Sequence, residues 1–175
     1  LAKNIGHIET GSQVVHGICL TTDAEHYTSL SETMDPKELA GFMNKYYETI
    51  FTPTRKHGGA VSDIIGDSMM ALWVASRPEV SLREKACFAA LDIQQAMQQF
   101  NHSSDIKLST RIGLHYGEIM LGHIGAVDHY EYRPVGDMVN TASRIEGLNK
   151  HLSTKVLVSE EVIDQLDSFQ TREVG

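Results

Sequence analysis

Apolar and polar positions along the chain switch repeatedly between a two-residue and a helical period. Val14-Val15-His16-Gly17-Ile18-Cys19-Leu20 is a short β-branched apolar run, which predicts a buried strand ending at Thr21-Thr22-Asp23. Asp35-Pro36-Lys37-Glu38 predicts a helix start, with a capping carboxylate, a proline at the first helical position and an acid at the third. Leu39, Phe42, Met43, Tyr46 and Ile50 follow at helical spacing, so this helix should run to about Lys56 and stop near Gly58-Gly59. Two apolar strands, 60–65 and 68–74, flank Gly66-Asp67 in the pattern of a β-hairpin. Ser81-Leu82-Arg83-Glu84 reads as a second capping box, opening a helix with Ala86, Ala90, Ile93, Met97 and Phe100 inward. Beyond it the pattern predicts strands over 107–116, 117–124 and 130–135 and a helix from Gly136-Asp137 through Leu148. A strand at 155–158, a short helix from Ser159-Glu160-Glu161 and a further strand over 169–173 complete the prediction. Helices and strands mixed irregularly, hairpins included, predict an α+β sandwich with helices packed on one sheet.

The 175 residues suit one domain with a sizeable core. Residues 1–12, with Gly6 and Gly11, read as a connector from an upstream region, and 13–175 as the domain. The chain opens at Leu1 with no signal-peptide pattern. We therefore expect a piece of a longer protein, lying in the cytoplasm, with a membrane anchor elsewhere in that protein left open. Fifteen Lys and Arg against twenty-three Asp and Glu give a net charge of -8. That balance argues against nucleic acid and against membrane contact by this segment, since either needs a basic face. It leaves room for a small anionic substrate held through metal ions. Cys19 and Cys87 suggest no disulfide framework, which fits a reducing compartment.

Three features carry candidate chemistry. Asp23 ends a buried strand, where a carboxylate must be exposed or paired. Asp67 sits at the tip of the predicted hairpin. Turn chemistry accounts for either one alone, but converging they would offer hard oxygens to Mg²⁺ or Mn²⁺. Asn140 and Arg144 are one helical turn apart, so on one face. Arg144 could grip a phosphate and Asn140 a sugar oxygen; the plainer alternative is a surface pair in which Arg144 bonds Asp137 or Glu146. No Walker, nucleophile-elbow or zinc-ligand spacing occurs.

Together these segments resemble the catalytic domain of class III nucleotide cyclases, the adenylate and guanylate cyclase family, from about Gly17 to Gly175. Asp23-Ala24-Glu25-His26-Tyr27-Thr28-Ser29-Leu30-Ser31 resembles the family's first-metal segment D-I-x-G-F-T-S-L-S. The run Gly58 to Asp67 resembles G-G-x-x-x-K-x-x-G-D. Arg111-Ile112-Gly113-Leu114-His115-Tyr116-Gly117 resembles R-I-G-x-H-x-G, and Tyr132 through Arg144 resembles Y-x-x-x-G-D-x-V-N-x-A-x-R.

The resemblance implies a ferredoxin-like antiparallel sheet and a homodimer with shared active sites. It implies two Mg²⁺ or Mn²⁺ ions on Asp23, Asp67 and the Ala24 backbone carbonyl, and Asn140 and Arg144 from the partner chain as catalytic residues. It implies Arg111 on the leaving pyrophosphate. The expected reaction converts a purine nucleoside triphosphate, ATP by family frequency, to its 3′,5′-cyclic nucleotide.

The chain departs from the family where the purine is read. Asp63 replaces the usual Lys, and Arg133 stands where adenylate cyclases have Asp or Thr. Asp63 could accept from guanine N1–H and N2–H₂ and Arg133 could donate to O6 or N7, so a guanylate cyclase is one alternative. An Asp63–Arg133 ion pair that ignores the base is another. Thr21 and His26 replace the frequent Phe and Gly, and the family's K-G-K lysine would follow Gly175, which implies a C-terminally truncated domain. A catalytically silent dimerising signalling module is the rival of another class. A diguanylate-cyclase-like palm fits less well, because Ile65-Gly66-Asp67-Ser68 is not its G-G-[DE]-E-F hairpin.

Overall fold

The computed structural model describes residues 13–126, 129–135 and 137–174, with the backbone alone at 123–126, 129–133 and 135. The connector expected at 1–12 and Gly136 lie outside the described residues. The order is β1 (Gln13–Ala24), α1 (Tyr27–Thr33), α2 (Pro36–Lys56), β2 (Ala60–Ile65), β3 (Ser68–Ala75), α3 (Val80–Ser103), β4 (Thr110–Ala126), β5 (His129–Val135), α4 (Asp137–Leu152), β6 (Val156–Val158) and α5 (Glu160–Ile163).

The sheet runs β2-β3-β1-β4-β5, antiparallel throughout, and β6 lies beside β4. One pairing departs from the antiparallel expectation: β6 runs parallel to β4, Ile112 opposite Val156 through Leu114 opposite Val158. It reaches β4 through α4, as a parallel neighbour requires a crossover. The two strands expected over 107–124 are one, β4. Gly117 does not interrupt it, because β1 pairs along one edge of β4 while β6 and β5 take the two ends of the other.

Alternation divides the strand residues between two faces. Ile18 and Leu20 of β1, Ala71 and Trp73 of β3 and Ile112 and Leu114 of β4 share a core with α2 and α3 (Tyr46, Ile50, Ala86, Ala90, Ile93). Cys19, Leu72, Ile119 and Leu121 point the other way and pack with Met138 and Ala142 of α4. Helices therefore cover both faces, which explains why β1 is buried at consecutive positions.

α2 starts as the sequence predicts: Asp35 Oδ1 accepts from the backbone N–H of Lys37 at 2.9 Å and Glu38 at 3.3 Å, with Pro36 first in the helix. The capping box expected at Ser81 does not form. The cap is Glu79 and α3 begins at Val80, two residues earlier than that box requires, and the Ser81 hydroxyl donates to the Glu79 carboxylate instead. No strand forms over 169–173, where Phe169 turns inward onto Phe88, ring centroids 4.8 Å apart. Among the described residues no helix is long and apolar enough to cross a membrane.

Candidate active site

β1 ends at Asp23-Ala24, and the β2–β3 turn, Gly66-Asp67, folds onto that end. Gly66 takes φ +61° there, a conformation side-chain-bearing residues resist. The Ala24 N–H donates to Asp67 Oδ2 at 3.0 Å, and the Met69 N–H donates to the buried Thr22 hydroxyl oxygen at 3.0 Å. From the other side the Tyr47 hydroxyl of α2 donates to the Gly66 carbonyl. Two elements, β1 and α2, thus fix the turn that carries Asp67.

The two aspartates converge. Burial raises the Asp67 pKa, and Asp23 raises it further through its charge and through a hydrogen bond, against the lowering effect of the Ala24 N–H. Burial and the Asp67 charge push the Tyr47 hydroxyl up to about 12, so it remains a donor. Two hard carboxylates on adjoining strand ends are donors of the kind Mg²⁺ or Mn²⁺ takes. Among the described residues no group of three His, Cys, Asp or Glu side chains forms a ready-made cage. Any ion here would also need backbone carbonyl, water or substrate oxygens, as is usual for Mg²⁺.

Arg111, opposite Asp23 in the β1–β4 ladder, is the cation of the cluster. Its Nη2 donates to Asp23; its Nη1 lies 3.8 Å from Glu25, and its Nε 3.4 Å from Glu146 Oε1. The last is an ion pair without a hydrogen bond, since both atoms are buried and unsatisfied. Burial alone would lower the Arg111 pKa, but its bond to Asp23 and the charges of Asp23, Glu146 and Glu25 raise it overall. Glu146 is pushed up to about 7 by burial and by the charges of Asp23 and Asp67, partly offset by Arg111.

Glu146 belongs to α4's core-facing stripe with Met138, Ala142 and Asn149. That helix rests directly on β4: a Cβ at Gly113 would collide with the Glu146 N–H and the Ala142 carbonyl. Asn149 Nδ2 donates to the Ile112 carbonyl at 3.0 Å and locks the same contact. The expected partners of the aspartates lie on the opposite, outer face. Asn140 is exposed, and Arg144 is 74% exposed and pairs with Asp137 at 3.7 Å. Among the described residues neither reaches Asp23 or Asp67 within the protomer.

Asp63 sits beside a β-bulge: Val61 faces Ala71 and Asp63 faces Met70, leaving Ser62 extra. Its Oδ1 accepts from the Ile64 N–H at 2.9 Å. Arg133 is on β5 opposite Gly122, its side chain outside the described part of the structure. A separate cavity of about 870 Å³ between α3, β6 and residues 168–174 contains none of these side chains.

Glu146 and Tyr47 are the residues that pattern reading misses as part of the site. A signal for the first is present: an acid at the third place of an otherwise apolar or amide stripe, 138, 142, 146, 149. For Tyr47 there is none, because its hydroxyl meets a backbone carbonyl distant in sequence.

The site is thus two aspartates at adjoining strand ends of a mixed sheet that helices cover on both faces. The family model "Adenylate and Guanylate cyclase catalytic domain" matches residues 13–175, and the chain belongs to that family. Adenylate cyclase 1 of Rhizobium meliloti is 33% identical over 159 residues, 88% of this chain and 24% of its own. The adenylate cyclase of Anabaena cylindrica is 32% identical over 182 residues, 97% of this chain and 35% of its own. A bacterial light-regulated adenylyl cyclase of solved structure superposes with a TM-score of 0.80 at 25% identity, covering 90% of this chain and 82% of that one. The chain thus spans about a quarter to a third of the length of these two curated relatives.

Proposed function

We propose that this domain is a metal-dependent nucleotide cyclase, converting ATP to 3′,5′-cyclic AMP and pyrophosphate. The observation that carries the reading is the Asp67 carboxylate held against the end of β1, beside Asp23, by the Ala24 N–H. Asp23, Asp67 and the Ala24 carbonyl would hold two Mg²⁺ or Mn²⁺ ions. Such ions activate a hydroxyl for attack and take charge from a triphosphate.

The reaction forms a bond from the ribose 3′-oxygen to the α-phosphorus and breaks the bond to pyrophosphate, with loss of the 3′-hydroxyl proton. Asn140 and Arg144 belong to the half of a homodimer opposite that of the aspartates. Their exposure on α4, away from Asp23 within the protomer, is what a site completed across an interface needs. The Arg144 guanidinium would leave the weak, solvent-exposed Asp137 to meet charge developing at the α-phosphate. Arg111 would turn its terminal nitrogens to the leaving pyrophosphate.

The adenylate cyclases at 32–33% identity support ATP. The second reading, GTP, is favoured by one observation: position 63 carries an acid, which complements guanine N1–H and N2–H₂ and not the adenine N1 acceptor. Purified protein with Mn²⁺ and each of the four triphosphates tests both. The expected result is cyclic AMP as the main product, abolished by Asp67→Ala with the fold retained. Cyclic GMP in excess of cyclic AMP moves the assignment to the second reading; no cyclic product with any triphosphate leaves the silent signalling module.

A further inference from the structure

We infer that Glu146 is a positioning residue of this site, the carboxylate onto which Arg111 settles when Asp23 turns to a divalent cation. The inference rests on the assignment of Asp23 and Asp67 to metal ions. As it stands the Arg111 guanidinium is divided among three carboxylates, and only Asp23 receives a hydrogen bond. A cation held by Asp23 would compete with Nη2 for that carboxylate and repel the guanidinium. A buried guanidinium left without a carboxylate is strongly unfavourable.

Glu146 is placed to prevent that. Its Oε1 and the Arg111 Nε are both buried, both lack a hydrogen bond and lie 3.4 Å apart. That is only about half an ångström beyond ordinary hydrogen-bond length, so a small swing of the guanidinium closes it. The swing belongs to Arg111, because the contact of α4 with Gly113 leaves the helix no room to approach. Glu25 is the weaker alternative, at 3.8 Å and 39% exposed against 14% for Glu146. Holding Arg111 by Nε leaves both terminal nitrogens on the Asp23 side, where the substrate phosphates would lie. The acid also sits on a stripe that packing alone would fill with an apolar side chain.

Mn²⁺ binding without nucleotide, followed by loss of the free-ion electron paramagnetic resonance signal, tests this. Glu146→Gln should weaken Mn²⁺ binding about tenfold, because Arg111 then stays on Asp23. In an Arg111→Gln background the same change should cost less than about twofold. An equal loss in both backgrounds overturns the inference, since Glu146 would then act by its charge alone; no loss in either overturns it too.

Glu146→Asp keeps the charge but cannot span the gap, and serves if Glu146→Gln does not fold. It should weaken Mn²⁺ binding several-fold, and wild-type affinity would overturn the inference. Asp23→Asn separates this from the parent reading. If it leaves Mn²⁺ binding unchanged, the metal assignment itself fails. If it abolishes binding while Glu146→Gln costs the same with or without Arg111, the inference alone fails.

Discussion

His26 has φ +69°, a left-handed conformation that a side chain resists, immediately before α1. Related cyclases commonly carry glycine there by the resemblance set out above, and the backbone supplies the physical reason. Histidine is among the less unfavourable substitutes at such a φ, so the chain accepts it at a cost. His26→Gly should stabilise the domain by about 0.5–1 kcal/mol and His26→Val should destabilise it by a similar amount or more. Urea unfolding measures both, and the same sign for the two would refute the strain.

Glu146 gives a second expectation at this scale. Its folded pKa, about 7, stands above the ordinary 4.5. Between those values the folded state holds more protons than the unfolded one, so stability falls as pH rises, by up to about 1.4 kcal/mol per unit. The penalty is absent below pH 4.5 and complete above 7. Arg111, Asp23, Glu25 and Asp67 are the charges around it, and the raised Asp67 adds the same sign. In metal-free buffer the wild type should therefore lose more stability from pH 5 to 8 than Glu146→Gln. Identical pH profiles would show that Glu146 does not titrate in this window. Asp23 and Asp67 were legible because they end recognisable strands. The Arg111–Glu146 pair was not, since its partners are 35 residues apart and meet only when α4 crosses β4.

Among the elements, α4 owes its place to a missing side chain. Gly113 lets the helix backbone lie against β4, and the Asn149–Ile112 bond keeps it there. Gly113→Ala must push α4 outward and should cost about 1–3 kcal/mol. Gly147, in the same helix but with open space where its Cβ would be, supplies the contrast. Gly147→Ala should stabilise by about 0.5–1 kcal/mol, the ordinary helix gain. Denaturant midpoints of the two variants should shift in opposite directions; a shared direction would mean that the α4–β4 contact does not depend on Gly113.

Helix starts written in local chemistry, such as Asp35-Pro36, were readable from sequence, as was the Gly66-Asp67 turn. The unbroken length of β4 and the parallel seat of β6 were not, because each depends on which strands lie alongside. α1 was missed for another reason: it buries none of its residues, so it leaves no apolar stripe to read.

On the scale of the whole molecule, the fold separates the chemistry into two places. The sheet gathers Asp23, Asp67 and Arg111 at one strand end, while α4 presents Asn140 and Arg144 outward. A second copy would reunite them, in a C₂ dimer with two equivalent sites. Mixing Asp23→Ala protein with Arg144→Ala protein tests that arrangement and the cyclase assignment together. Each variant alone should be inactive. An equal mixture allowed to exchange should regain about a quarter of wild-type activity, since half the dimers are mixed and each carries one intact site of two. Demonstrated heterodimers with no recovered cyclisation would contradict the account.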